Sequence, residues 1–402
     1  MTRLAIAAVG IAVFAAASAL PNVRMLDRGN LGDTPVYKDY GEQMRDGKVP
    51  YRDFFVEYPP GALPVFVAPT VGESRDYTLH SQALQWLLGA AAIVAVAFTL
   101  DALGAGRRAT LAAVVALALA PALLGQVTFT RYDFWPAVLT AAALLAFVRD
   151  RSLLGAGALA IAVAAKEYPI VILPLALLYV WHRGGRSEAL RLLAVFCVVL
   201  AAILLPFAAL GPGGVRYSLY VQFRRPLQIE SLGGSLLLAA HQLGLYTPHV
   251  VSTYGSQNLA GAVPDALAAL TTVVGLVAIV AVWVLFARGP RQASDLLTAS
   301  AAAVVAFVAF GKVLSPQYVI WLLALVAVVD RRARVRAFAL LAAALALTQG
   351  WSQGHYHDVV QLRPLGWVVL VRNVVLVALY AVLFVAVAGG RYTSKSRVSI
   401  FR

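Results

Sequence analysis

Six carboxylates and four tyrosines fall between Gly32 and Pro60, in the stretch Gly-Asp-Thr-Pro-Val-Tyr-Lys-Asp-Tyr-Gly-Glu-Gln-Met-Arg-Asp-Gly-Lys-Val-Pro-Tyr-Arg-Asp-Phe-Phe-Val-Glu-Tyr-Pro-Pro. A carboxylate held within hydrogen-bond reach of a hydroxyl can take its proton as the oxygen attacks, so this is where acid–base chemistry would sit. Asp33 is the first candidate. It follows closely on the apolar stretch Leu4 to Leu20, so its carboxylate can face a membrane-embedded substrate while staying near water. The competing reading is structural: Thr34 to Met44 suits a helix with Asp33 as its N-cap and Pro35 in its first turn. Asp39, three positions before Glu42 on the same helix, is the fallback base.

Other charges stand out because apolar sequence surrounds them, and ionisable groups within or beside membrane spans are costly and usually partnered. They are Arg131 and Asp133, Lys166 and Glu167, and Arg372, which lies between Val369–Val371 and Val374–Val377. Snorkelling or mutual pairing explains Arg131 and Asp133 as well as a functional role does. His355, Tyr356, His357 and Asp358 superficially suggest a metal site, but the run lacks a third imidazole. The single cysteine, Cys197, sits in an apolar run and rules out a disulfide framework.

The elements that must position these residues are set by the bilayer. Hydrophobic residues make up 61% of the 402 and charged ones 13%, and the mean hydropathy is +0.78, outside the range of ordinary soluble domains. Runs near the ~20 residues needed to cross the hydrocarbon core recur, and lipid offers no partner for an open backbone, so the segments must be helical. The sequence therefore predicts an all-α polytopic membrane protein, residues 1–402 forming one integral membrane domain of about twelve transmembrane helices. These are expected near 4–20, 82–103, 109–125, 133–148, 152–165, 168–182, 190–210, 264–287, 293–311, 316–329, 336–349 and 366–388. The first is read as a retained helix rather than a cleaved signal peptide.

The net charge of +14 would suit nucleic acid, but its distribution excludes that reading. Basic residues cluster in short loops and in the tail at 389–402, which places 18 basic and 5 acidic residues on one side. The positive-inside rule then puts both termini in the cytoplasm. Two long outer segments, about 21–80 and 211–263, carry most of the polar chemistry, with interfacial helices expected in both. Gly61 to Val71, broken by Pro64 and Pro69, suits an interfacial or re-entrant piece, and Ser231 to Leu245 an amphipathic helix lying along the surface.

The first outer segment resembles that of GT-C membrane glycosyltransferases of family 87. The resemblance rests on Asp33/Val36/Tyr37, then Gly47/Tyr51, then Tyr58/Pro59/Pro60, and continues in Gly125-Gln126-Val127-Thr128, Lys166-Glu167-Tyr168-Pro169 and Ser315-Pro316-Gln317-Tyr318. It implies a GT-C-like helical bundle that transfers a sugar, mannose or arabinose, from a polyprenyl-phosphate donor to a lipid or glycan acceptor on the outer face of the cell membrane. Neither metal nor cofactor is implied, and inversion by direct displacement is expected. Asp33 would be the base. Cationic donors would gather round the phosphate as its charge grows: Arg224 and Arg225, with Glu230 orienting one of them, and Lys166 and Arg372 lining the donor cavity. Arg216 and Lys312 are weaker candidates of the same kind. Tyr37 and Tyr58 join the substrate-binding set through the motif, and Gln317 stands where some members carry a histidine. The rival class is a transporter or lipid flippase, which would use midplane charges and broken helices.

Overall fold

A computed structural model of the chain describes residues 2–20, 32–72 and 74–398. It is nearly all helix, and among the described residues seven helical stretches are long and apolar enough to cross a membrane: Tyr77–Ala102, Arg107–Thr128, Tyr168–Leu210, Ala262–Arg288, Ala293–Phe310, Arg331–Ser352 and Gly366–Gly389. Four more are apolar but shorter, Arg3–Ala19, Phe134–Val148, Ser152–Ala165 and Pro316–Ala327. Inside Tyr168–Leu210 the helical backbone breaks at Gly185, whose φ of 81° and ψ of −179° are open to glycine and strained for other residues.

The chain forms two compact units. The first comprises the described residues of Met1–Pro121, Gly125–Ile170 and Arg186–Arg224. It holds α1 (Arg3–Ala19), α2 (Thr34–Arg45), α3 (Leu63–Val67), α4 (Tyr77–Ala102), α5 (Arg107–Ala118), the start of α6 (Ala120–Leu124), α7 (Phe134–Val148), α8 (Ser152–Ala165), the second half of α9 (Leu173–Leu210) and α10 (Pro212–Arg224). α1 packs on α4 and α5, and α4 on α7, which pairs with α8. Arg3 pairs with Asp101 at 2.7 Å and Phe14 packs against Trp86, so α1 and α4 run antiparallel. The segment from Gly32 to Asp76 therefore emerges at the end of these helices away from Arg3.

That segment has its own core. Tyr37 stacks on Phe66 at 4.6 Å, and Tyr58 and Tyr132 meet both rings edge-on. Two glycines permit the close packing. A Cβ on Gly41 would lie 2.2 Å from the Phe66 carbonyl, and one on Gly61 would lie 2.4 Å from the backbone of Ala164. The Gly61–Val71 stretch is a chain of short pieces, a 3-10 turn at Pro60–Ala62, then α3, then a 3-10 turn at Ala68–Thr70.

The second unit comprises Ala122–Leu124, Val171–Gly185 and the described residues from Arg225 on. After β1 (Leu227–Gln228) come α11 (Leu232–Gln242), β2 (His249–Thr253), β3 (Ser256–Ala260), α12 (Ala262–Arg288), α13 (Ala293–Phe310), α14 (Ile320–Ala327), α15 (Arg331–Ser352), α16 (Tyr356–Val360) and α17 (Gly366–Val398). α13 is its apolar axis, buried from Leu296 to Ala306 and packed by α12 and α17. Ser231 caps α11, its hydroxyl accepting from the Gly234 N–H at 3.1 Å.

The fold is nearly all-α, as expected, with three short strands that the sequence reading did not include. They form an antiparallel sheet in the order β1-β3-β2, with Val251 opposite Asn258. The β2–β3 hairpin turns through Tyr254 and Gly255, both at positive φ (53° and 63°), the signature of a two-residue type I′ turn.

Candidate active site

Asp33 occupies the N-cap position of α2, yet its side chain makes no capping hydrogen bond. Instead Oδ2 receives the hydroxyls of Tyr37 and Tyr58, each at 3.3 Å, and an ion pair from Arg131. The carboxylate is 30% exposed and the guanidinium 13%, so the pair sits at an accessible edge and not in the core. Each partner is fixed by a different element. Tyr37 lies one turn into α2, Tyr58 ends the turn before Pro59-Pro60, and Arg131 precedes α7. Burial raises the Tyr37 and Tyr58 hydroxyls well above the ordinary tyrosine range, with the Asp133 charge adding for Tyr37 and the neighbouring Tyr37 adding for Tyr58. Both therefore stay protonated and act as donors.

Beneath this edge lies a second ion pair. The Lys166 ammonium meets Asp133 Oδ1 at 2.7 Å, with the carboxylate fully buried, and lies 4.6 Å from the Tyr132 ring centroid. The Tyr132 hydroxyl donates to the Ala165 carbonyl at 3.2 Å, which ties α7 to the end of α8. Mutual pairing of Arg131 and Asp133 is thus not needed to explain them, since Asp33 answers one and Lys166 the other. Glu167, next in sequence, is partly accessible, and burial raises its carboxyl above the usual range.

Asp39 is exposed and, among the described residues, accepts from Gln43 of its own helix at 2.8 Å. Arg224 is exposed at the end of α10, its Nε donating to the Tyr220 hydroxyl at 3.1 Å, whereas Arg225 donates to the Tyr254 carbonyl at 3.1 Å. The two adjacent arginines thus take up different surroundings.

In the second unit the polar cluster forms around Arg372. The side chain is fully buried, Nη2 donates to the Glu230 carbonyl at 2.9 Å, and the guanidinium lies 5.3 Å from the Trp351 ring centroid. Asn373 donates to the same carbonyl at 3.1 Å and to Ser235 at 2.9 Å. Among the described residues Arg372 Nε and Nη1, Trp351 Nε1, Ser352 Oγ and Asn373 Oδ1 have no hydrogen-bond partner. The Glu230 carboxylate is within electrostatic reach of the guanidinium. Gln317 is 7% exposed with Oε1 likewise unpaired, in a turn pinned by Gln228, which donates to Ser315 Oγ at 3.2 Å and accepts from the Leu314 N–H at 2.9 Å.

A family model described as glycosyltransferase family 87 matches residues 55–316, well over half of the chain. The chain belongs to glycosyltransferase family 87. No curated protein matches it. The matched span of this family 87 glycosyltransferase includes Tyr58, Lys166, Arg224, Arg225 and Glu230, whereas Asp33, Asp39, Tyr37, Gln317 and Arg372 lie outside it. As a membrane glycosyltransferase it needs a group to accept the acceptor's proton and groups to hold the donor.

The sequence pointed to Asp33, Tyr37 and Tyr58 separately, and the fold brings the three together. It missed Tyr132 and Trp351 as site residues, which carry no signal beyond being aromatic. Asn373 had one, its place beside an arginine already singled out. His355 contacts Asp358 at 3.2 Å, and Arg363 also pairs with Asp358. Among the described residues no three His, Cys, Asp or Glu side chains come together as a metal-binding group.

Proposed function

We propose that this glycosyltransferase moves mannose or arabinose from a polyprenyl-phosphate donor to a lipid or glycan acceptor at the outer face of the cytoplasmic membrane. In this reading both units are embedded in the bilayer as about twelve spans, Gly185 separating two of them, with both termini in the cytoplasm. The observation that carries the reading is the Asp33 carboxylate, accessible yet fixed through Oδ2 by Arg131, Tyr37 and Tyr58. Its other oxygen, Oδ1, accepts the proton of the acceptor hydroxyl. As that hydroxyl oxygen bonds to the anomeric carbon, the bond from this carbon to the phosphate oxygen breaks, the electron pair leaves with polyprenyl phosphate, and the configuration inverts. Lys166 serves as a positioning residue: it neutralises Asp133 beneath the Tyr132 ring that packs on Tyr37 and Tyr58.

Within the second unit, the buried Arg372 cluster is the candidate holder of an anion. Its free guanidinium and indole N–H donors sit in a low-dielectric surrounding, where charge-assisted hydrogen bonds to an anion are strong. Glu230 and Asn373 hold that cluster together, and Gln317 adds an unpaired acceptor to the same unit. Arg225 belongs to the same unit and is kept as a secondary phosphate contact.

Radiolabelled polyprenyl-phosphate mannose and polyprenyl-phosphate arabinose, added to membranes containing wild type or Asp33→Asn at matched expression, test the reading. Lipid-linked product from wild type that disappears with Asp33→Asn supports it. Equal product from both removes Asp33 from the chemistry, and no product from either donor refutes the donor class.

A further inference from the structure

α10 divides cleanly into two faces. One is fastened to the segment that carries Tyr58. Ser218 Oγ and Gln222 Nε2 both donate to the Glu57 carbonyl, at 2.8 and 3.3 Å. At the start of the helix, a Cβ on Gly214 would lie 2.0 Å from the Tyr51 carbonyl oxygen, so the Gly-Pro-Gly-Gly run lies directly on the Tyr51 backbone. Tyr51 itself is buried at φ 67°, packs edge-on against Phe207 and donates to the Tyr58 carbonyl. The Tyr58 hydroxyl in turn reaches Asp33.

Among the described residues the opposite face is largely exposed. Tyr217, Leu219 and Tyr220 are each about half exposed (49–51%), Phe55 packs edge-on to Tyr217, and Arg216 and Arg224 lie on the same side. No acidic residue occurs in α10. Among the described residues Arg224 donates through Nε to Tyr220, and its exposed terminal nitrogens can reach an external acceptor. The helix begins directly after α9, whose Leu205 and Leu210 are 62% and 51% exposed, so it starts where an apolar surface ends. Tyrosines flanked by arginines at such a boundary match the headgroup layer, where amphipathic rings and cations are favoured.

We propose that this face of α10 docks onto anionic phospholipid headgroups, and that docking holds the Tyr51–Tyr58 segment in place through the Glu57 clasp. The effect on transfer rests on the Asp33 reading, whereas the docking does not.

The test is hydrogen–deuterium exchange on the full-length protein in nanodiscs of phosphatidylcholine, with or without 30% phosphatidylglycerol. With each of the two arginines near a charged surface contributing about fivefold, exchange in 212–224 and 51–58 should slow by up to about 25-fold when phosphatidylglycerol is added. Arg216→Gln/Arg224→Gln should lose that response and Arg216→Lys/Arg224→Lys should keep it. Ser218→Ala/Gln222→Ala should keep it in 212–224 and lose it in 51–58. Equal exchange in the two disc types, or an unchanged response in the glutamine variant, overturns the proposal. So does protection in phosphatidylcholine discs by stoichiometric polyprenyl phosphate, which would assign the face to the donor. A lipid-dependent α10 with a transfer rate indifferent to phosphatidylglycerol leaves docking intact and counts against Asp33 alone.

Discussion

The polar clusters of the two units solve the problem of charge in an apolar chain in opposite ways. Around Asp33, cations answer anions: Arg131 pairs with Asp33 and Lys166 with Asp133, among four aromatic rings. Around Arg372, a fully buried guanidinium places one nitrogen on a backbone carbonyl and keeps Nε and Nη1 without acceptors. A buried ion costs several kcal/mol to desolvate unless opposite charge and hydrogen bonds offset it. The first cluster is balanced from within and defines where a carboxylate oxygen points. The second holds surplus donor capacity where the dielectric is low and an anion gains most. On the proposed function, the first would contribute geometry and the second affinity for an anion.

The comparison can be broken most directly at Asp33. Asp33→Asn keeps the shape and the acceptor oxygen for Tyr37 and Tyr58 but removes the basic group, and general-base loss typically costs about 10²–10⁴ in rate. The expectation is a fall of that order in kcat with little change in donor KM, read from initial rates of labelled transfer.

Arg372→Gln should produce the complementary pattern. Hydrogen bonds to a charged group contribute about 1.5–3 kcal/mol each, so losing one raises donor KM by about 10- to 100-fold while kcat changes less. Should both variants move the same kinetic parameter, the division between geometry and affinity fails.

Much of this arrangement was legible in the chain and some was not, for identifiable reasons. Helices near the expected positions follow from the length and apolarity of their segments, and the α2 start at Thr34 follows from Asp33 and Pro35. That the Asp33 carboxylate would pair with Arg131 instead of capping α2 was not legible, because Arg131 is remote in sequence and only the fold supplies it. That the Glu230 backbone carbonyl is what Arg372 and Asn373 grip was not legible either. A backbone role leaves no trace in residue type. The sheet was hidden because its strands are two to five residues long and mostly polar, although Tyr254-Gly255 carried part of the hairpin signal.

Gly61 sharpens the comparison from the structural side. Trp135 donates to its carbonyl at 2.9 Å, and the missing side chain lets Pro60–Ala62 lie on the backbone of α8. A methyl there meets backbone atoms that cannot rotate away, so Gly61→Ala should destabilise the first unit by about 1–3 kcal/mol, the usual cost of overpacking. Thermal unfolding in detergent measures this. Gly213→Ala, where an added Cβ meets nothing within 4 Å, is the control and should leave the midpoint nearly unchanged.

The smallest effect is the most specific. Tyr58→Phe removes one hydroxyl that reaches Asp33 Oδ2 and leaves the ring contacts to Tyr37, Phe66 and Tyr132 in place. A hydrogen bond to a charged group contributes about 1.5–3 kcal/mol, and this long one at 3.3 Å falls at the low end, which sets the expected loss of kcat at about tenfold with an unchanged unfolding midpoint. Tyr37→Phe, which removes the other hydroxyl on the same oxygen, should cost a similar factor. Because both hydroxyls act on one atom beside one arginine, the double variant should depart from the product of the two single effects, as groups sharing a partner do. Strict multiplicativity would mean that the tyrosines do not act through Asp33, and the fixed carboxylate would then owe its geometry to Arg131 alone.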